Sequence, residues 1–330
     1  MFGIGVLLLG LVAGPEAVAE RPHVTPDAFR AWFDASLEGN LEFPAAAEKA
    51  ARGYQYVFIG GFASERMSSY FLQNAQDLQA RGVPQRSIHF IFPSSEGTIE
   101  ENSGLVSDTF RKIARESPGK LVVIAHSRGA CDALTFALRN PAFVADHVEA
   151  MFLVQGPFGG SGLADVVAGD GPAPDHKMRP QHRATATILA RLERYYLGRG
   201  HHAGLPELAT DVAHDYWKTQ LHEHHDAIAV VGPRTFYVTA ATAPGHQRVF
   251  QRAAAWYLDT YFGTNDGVVA LDDQSLPEVG TVLTVLDAGH TDLTHRFPLA
   301  PLTQRRLRRA LVDGIMISVG TSALTEGKAR

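Results

Sequence analysis

The chain has 330 residues, 45% of them hydrophobic and 20% charged, with a formal net charge of −5. Those proportions suit a globular protein whose core needs no covalent staple, and the lack of a concentrated basic stripe excludes a nucleic-acid partner. A single cysteine, Cys131, excludes an internal disulfide and a cysteine-rich zinc site.

Ile4 to Ala13 is an apolar run followed by Ala17-Val18-Ala19. It predicts a signal peptide over residues 1–19, and so a secreted or periplasmic protein, although no Lys or Arg precedes the run. The run is too short to span a membrane. Residues 20–330 are expected to form one domain, with the helical pattern of residues 20–53 packed on its core. From Tyr54 strands alternate with helices. Strands are predicted over Tyr54–Ile59, Ser87–Phe92, Leu121–Ala125 and Val148–Val154, with helices over Met67–Gln79, around Leu105–Ile113, and over Arg128–Leu138. Leu121–Ala125 is uninterrupted apolar sequence, as expected of a strand covered on both faces. This alternation predicts an α/β fold, with a mostly parallel central sheet and helices on both sides.

The rhythm breaks over about 158–234, which opens on a Gly/Pro/Asp-rich stretch (Gly169–Pro174). It continues through helical patterns at Thr185–Tyr196 and Leu205–Ile228. We read it as a helical cap or lid inserted above the sheet. Its histidines, His201-His202, His214, His222 and His224-His225, match no tetrahedral metal motif and are expected on solvated helix faces. Strands return at Thr235–Ala240 and Thr281–Leu286, followed by a helix over Leu302–Ile317. Arg305, Arg306, Arg308 and Arg309 are expected on the wet face of that helix.

Chemistry concentrates where strands end. Ala125-His126-Ser127-Arg128-Gly129 joins a buried strand directly to a helix. Small residues two before and two after the serine allow a turn tight enough to hold Ser127 exposed above the sheet edge, a nucleophile elbow. The helix N-terminus beneath it offers N–H groups to a developing oxyanion. Cys131, four residues on, is expected as buried packing. Earlier, Ile59-Gly60-Gly61-Phe62 ends the first strand in a glycine pair that lets the backbone approach a substrate. Phe62 and Arg128 are therefore assigned the oxyanion N–H groups, Gly61 and His126 are expected beside the substrate, and Phe158, with Leu163, Val166 and Val167, is expected either to line an apolar cleft under the cap beside the substrate or to belong to the core.

A serine nucleophile needs a base and a carboxylate to orient it. Asp266, in Asn265-Asp266-Gly267, is locally a plain Asp-Gly turn. Its place between the elbow and a later histidine gives the order serine, acid, histidine usual on this architecture. Asp259, Asp272 and Asp287 are its rivals. His290 follows the last strand in a glycine-marked loop and is the expected base, with His295 as runner-up.

Four segments together resemble the bacterial triacylglycerol lipases and related esterases of the α/β-hydrolase superfamily. They are Ala125–Gly129, Gly156–Asp165, Asn265–Val269 and His290–Leu293. The resemblance implies an α/β-hydrolase fold, cleavage of carboxylic esters with fatty acyl chains, export, and a mobile helical lid. Two departures matter. Ile59-Gly60 stands where the family commonly has a histidine before its oxyanion glycines. Asp292 matches one calcium ligand of some members, but one carboxylate is too few for a site built from six to eight oxygens. No metal or cofactor is expected. The expected partner is a small-molecule or lipid ester, with transient contact to a lipid interface. Acyl transfer, hydrolysis of amides or polyesters, and a non-catalytic binding protein on the same fold are the alternatives.

Overall fold

The computed structural model describes residues 24–168, 204–247, 249–295 and 302–329. The expected signal peptide, Gly169–Pro174, Thr185–Tyr196 and His201-His202 lie outside the described residues. Two helices come first, α1 (Pro26–Glu38) and α2 (Ala45–Ala51). Then strand and helix alternate: β1 (Gln55–Ile59), α3 (Leu72–Ala80), β2 (Ile88–Ile91), α4 (Ile99–Glu116), β3 (Leu121–His126), α5 (Arg128–Arg139), α6 (Pro141–His147) and β4 (Val148–Val154). After α7 (Gly162–Ala168), α8 (Thr210–Glu223) and α9 (Ile228–Val231) come β5 (Thr235–Ala241), α10 (Val249–Tyr261), β6 (Thr281–Asp287) and α11 (Leu302–Ala329).

The six strands form one sheet in the order β2-β1-β3-β4-β5-β6, and every pairing is parallel. Alternation along the strands divides the core in two. Tyr56, Phe58, Val122, Ile124, Phe152 and Val154 face one layer with Phe29, Phe33, Leu78, Leu311 and Ile315. Val57, Ile59, Val123, Ala125, Met151 and Leu153 face the other, with Phe110, Leu134, Phe136 and Trp217. A strand sandwiched in this way has no polar side, which is why Leu121–Ala125 and Ala150–Val154 read as apolar runs.

The strand order creates a crevice. The chain leaves β1 for β2 on one side, then returns to lay β3 on the other flank of β1. The segments leaving the C-terminal ends of β1 and β3 therefore diverge, and in open parallel sheets ligands bind at such a switch point. These two strand ends carry Gly60-Gly61-Phe62 and Ser127.

Three expectations are corrected here. The helix expected from Met67 begins only at Leu72. Residue 71 takes a left-handed conformation (φ 56°), and its N–H bonds the carbonyl of Thr294 (2.9 Å) instead of continuing a helix. The last helix runs beyond Ile317 to Ala329. Its Gly320 resembles a stop signal but serves close approach, because a Cβ there would lie 2.1 Å from the Ala47 carbonyl oxygen in α2. Arg305, Arg306 and Arg309 are exposed as expected, but Arg308 is 1% exposed. Among the described residues no helix is long and apolar enough to cross a membrane.

Candidate active site

The β3–α5 junction is built around one strained residue. Ser127 has φ 55° and ψ −134°, a region that costs a non-glycine residue on the order of 1–3 kcal/mol. The strain is sustained by what surrounds the turn. The Ser127 N–H donates to the Val154 carbonyl (2.9 Å), and α5 starts at the next residue. Four non-glycine residues among those described have positive φ, namely Ala63, Phe71, Ser127 and Gln155. All four lie in segments that meet around this junction.

The small residues of the elbow answer to a neighbour that the motif does not mention. A Cβ on Gly129 would lie 2.4 Å from the Gly60 carbonyl oxygen and 2.9 Å from that of Ile59. The end of β1 therefore constrains this position. A Cβ on Gly61 would lie 2.7 Å from the Ser127 Cβ. We expect Gly129→Ala to lose about 2 kcal/mol in urea unfolding, since backbone oxygens cannot swing aside as a flexible side chain can. Its kcat should also fall as the Gly60-Gly61 loop is displaced.

Ser127, His290 and Asp266 come together. Ser127 Oγ lies 2.9 Å from His290 Nε2, and His290 Nδ1 lies 2.7 Å from Asp266 Oδ2. A carboxylate only accepts, so Nδ1 carries the proton and donates it. Nε2 is then left as the acceptor for the serine hydroxyl. Asp266 is fully buried and accepts four hydrogen bonds. Oδ1 takes the N–H groups of Val268 (2.9 Å) and Val269 (2.8 Å), and Oδ2 takes His290 and the Gln155 amide (2.8 Å). The Asp266 carbonyl accepts the His290 N–H as well (2.8 Å), so acid and base loops are joined twice. Asp259, Asp272 and Asp287 are exposed, and His295 lies toward Ser69 Oγ (3.4 Å).

The loop carrying His290 is fastened from behind. Gly289 donates to Asp292 Oδ2 (3.0 Å), and Gln304 donates to Asp292 Oδ1 (2.7 Å). Arg308 reaches in from α11 and donates to the carbonyls of Asp292 (3.1 Å) and His295 (2.9 Å), and to Gln73 Oε1 in α3. That explains its burial. Its planar fork lets one side chain donate to several acceptors at once.

The oxyanion assignments rest on backbone position. Arg128 is the first residue of α5, where an N–H has no partner within its helix. Phe62 follows Gly61, and its ring packs against Ala164, Leu205 and Leu208. The Arg128 side chain is 2% exposed and turns away from the serine to the Gly97 carbonyl and Glu207 Oε2 (3.3 Å). Burial pushes the Glu207 carboxyl up from its ordinary value.

Two residues expected beside the substrate lie elsewhere. His126 is 1% exposed, and both of its ring nitrogens are engaged, by Tyr70 Oη (2.5 Å) and by the His290 carbonyl (2.7 Å). Burial, and then the neighbouring His290, holds His126 well below the usual histidine range, so it is neutral. Phe158 is also 1% exposed. It packs edge-on against Trp217 (5.2 Å) and Tyr237 (5.4 Å) inside the core, where an apolar ring gains most from leaving water. Cys131 is buried, and burial raises its thiol well above the ordinary value.

Sequence reasoning missed Tyr70, Gln155 and Arg308. Gln155 carried a signal, being a polar residue directly after the apolar run Ala150–Val154, one position beyond the register partner of His126. Tyr70 and Arg308 carried none.

No protein-family model matches the chain, and no curated protein matches it. Solved structures do. The mature form of the Bacillus licheniformis lipase BlEst2 superposes with a TM-score of 0.52 at 18% identity, over 72% of this chain and 85% of that one. The metagenomic carboxyl esterase MGS0156 gives 0.54 at 18% identity, over 87% and 78%. With the six-stranded parallel sheet and its flanking helices, these likenesses show that this chain has the α/β-hydrolase fold.

Proposed function

We propose that this protein is a serine hydrolase that cleaves carboxylic esters through an acyl-enzyme on Ser127. The observation that carries this reading is the unbroken line from Ser127 Oγ through His290 to Asp266, at 2.9 and 2.7 Å, beginning at a strained strand–helix turn. In this reading His290 Nε2 takes the proton of Ser127 Oγ as the oxygen attacks the ester carbonyl. The imidazolium so formed is paired with Asp266, which also fixes the tautomer required beforehand. The N–H groups of Phe62 and Arg128 stabilise the oxyanion. His290 then protonates the leaving alcohol, and water activated by the same nitrogen releases the acid. The chemistry needs no cofactor.

The names of the two structural neighbours, a lipase and a carboxyl esterase, agree with an ester substrate. Of the span 158–234 read as a cap, Phe158, Trp217, Ala227 and Val231 pack into the core layer against the sheet, so its described helices cover the sheet rather than stand above it. Glu207 accepts the Ile99 N–H (2.7 Å) and pairs with Arg128 of α5 (3.3 Å), which fastens the chain around Glu207 beside the elbow.

Two measurements test the reading. A fluorophosphonate probe should label the protein, with the adduct mapped by mass spectrometry to Ser127. Hydrolysis of p-nitrophenyl esters from acetate to palmitate should proceed, and the chain length of greatest kcat/KM would separate an esterase from a lipase. A protein that neither takes the probe nor hydrolyses any ester of the series is not this enzyme.

A further inference from the structure

A second line of hydrogen bonds runs behind Ser127. The Gly61 N–H donates to Tyr70 Oη (3.2 Å), and Tyr70 Oη in turn meets His126 Nδ1. On the far side of the ring, His126 Nε2 meets the carbonyl of His290 (2.7 Å). A carbonyl can only accept, so Nε2 carries the proton of this neutral ring. Nδ1 must then accept, and the Tyr70 hydroxyl is its donor. Every donor and acceptor in the line is thereby assigned, from the oxyanion loop after β1, through the residue before the nucleophile, to the backbone of the base. Tyr70, His126 and His290 are 5%, 1% and 5% exposed, so solvent offers little substitute for a lost partner.

The line is anchored where displacement would matter. A Cβ on Gly61 would lie 2.9 Å from Tyr70 Oη and 2.7 Å from the Ser127 Cβ, so the tyrosine hydroxyl and the nucleophile flank the same peptide. The rings of His126 and His290 are 4.8 Å apart, with Tyr70 5.7 Å beyond His126. The backbone reinforces the connection. Residues 70 and 295 form an antiparallel bridge, the Phe71 N–H donates to the Thr294 carbonyl, and the Asn74 amide donates to the Leu293 carbonyl (3.0 Å).

We infer that Tyr70 and His126 are positioning residues forming one relay, which holds the oxyanion loop and the histidine loop in mutual register on either side of Ser127. The inference rests on the hydrolase reading. It assigns His126 a part in catalysis without contact to the substrate, and gives Tyr70 the joint between the two loops.

The test is steady-state kinetics on the full chain with Tyr70→Phe, His126→Asn and the double variant, using the best ester of the series. Tyr70→Phe removes one oxygen atom and leaves the ring packing in place. It should lower kcat by about 10- to 100-fold, the scale of a small misplacement of reacting groups, with KM within about twofold of wild type. Asn at 126 keeps an acceptor toward Tyr70 but is too short to donate to the His290 carbonyl, and should show the same split. Because the relay acts as a unit, the double variant should be no slower than the worse single one. Thermal melts identify any variant that is merely unfolded, and the ¹⁵N resonances of His126 in wild type should report the Nε2–H tautomer. Unchanged kcat in Tyr70→Phe, losses that multiply in the double variant, or the opposite tautomer would each overturn the inference and leave an active wild type as evidence for the hydrolase. A wild type with neither esterase activity nor probe labelling removes both.

Discussion

Ser127→Ala is expected to lower kcat for ester hydrolysis by about 10⁴- to 10⁶-fold, the range over which removing a nucleophile leaves only binding and oxyanion stabilisation. KM should change little, because the hydroxyl is used in the transition state. The backbone makes a companion variant informative. Alanine at residue 127 must adopt the same φ of 55° as serine, so Ser127→Ala retains the strain. Glycine adopts that conformation freely. Ser127→Gly should therefore be as inactive as Ser127→Ala, yet more resistant to urea by about 1 kcal/mol. That result would show stability given up at this position to aim the side chain. If Ser127→Ala retained more than about a hundredth of wild-type kcat, another group would be the nucleophile.

Asp266→Asn should cost about 10³- to 10⁴-fold in kcat, together with about 2 kcal/mol in urea unfolding. The carboxylate accepts four donors, two on each oxygen. An amide offers one acceptor oxygen and one NH₂ group. In either orientation its NH₂ faces two groups that also donate: Val268 and Val269, or Gln155 and His290. If the amide turns its NH₂ toward His290, the imidazole favours the other tautomer, and Nε2 can no longer accept from Ser127. If it turns toward the valines, the turn bearing Asp266 loosens. Loss of activity without loss of stability would favour the first outcome, and loss of both the second. Full activity would exclude Asp266 as the partner of the base.

The strands were the most legible part of the chain. Val148–Val154 is identical in sequence reading and structure, and β1, β3, β5 and β6 differ by a residue or so, because an apolar run bounded by Gly, Pro or charge is a local signal. Ser127, Asp266 and His290 could be nominated for the same reason, each following a strand or a glycine-marked turn in the expected order. Their meeting in one line of hydrogen bonds is long-range information. The partners that hold the site in place were not legible. Arg308 meets Gln73 across 235 positions, and His126 meets the His290 carbonyl across 164. Nothing near Arg308 separates it from Arg305, Arg306 and Arg309, which stay in water. His126 reads as a substrate neighbour because it adjoins Ser127, and Phe158 reads as cleft lining or core with nothing local to decide between them. Adjacency along the chain does not say which way a side chain points, and both point into protein.

The grip of Arg308 on the histidine loop also bears on when the site comes into being. The chain is made from its N-terminus, and a domain generally folds as a unit. The strained serine turn is complete once β4 is available, since Val154 supplies the acceptor for its N–H. The base comes later in the chain, and its loop is held by an arginine from α11, a helix that follows all six strands and is nearly all buried between residues 310 and 320. The histidine loop is therefore anchored only once α11 has docked, and the site is complete only when the last helix of the domain is in place.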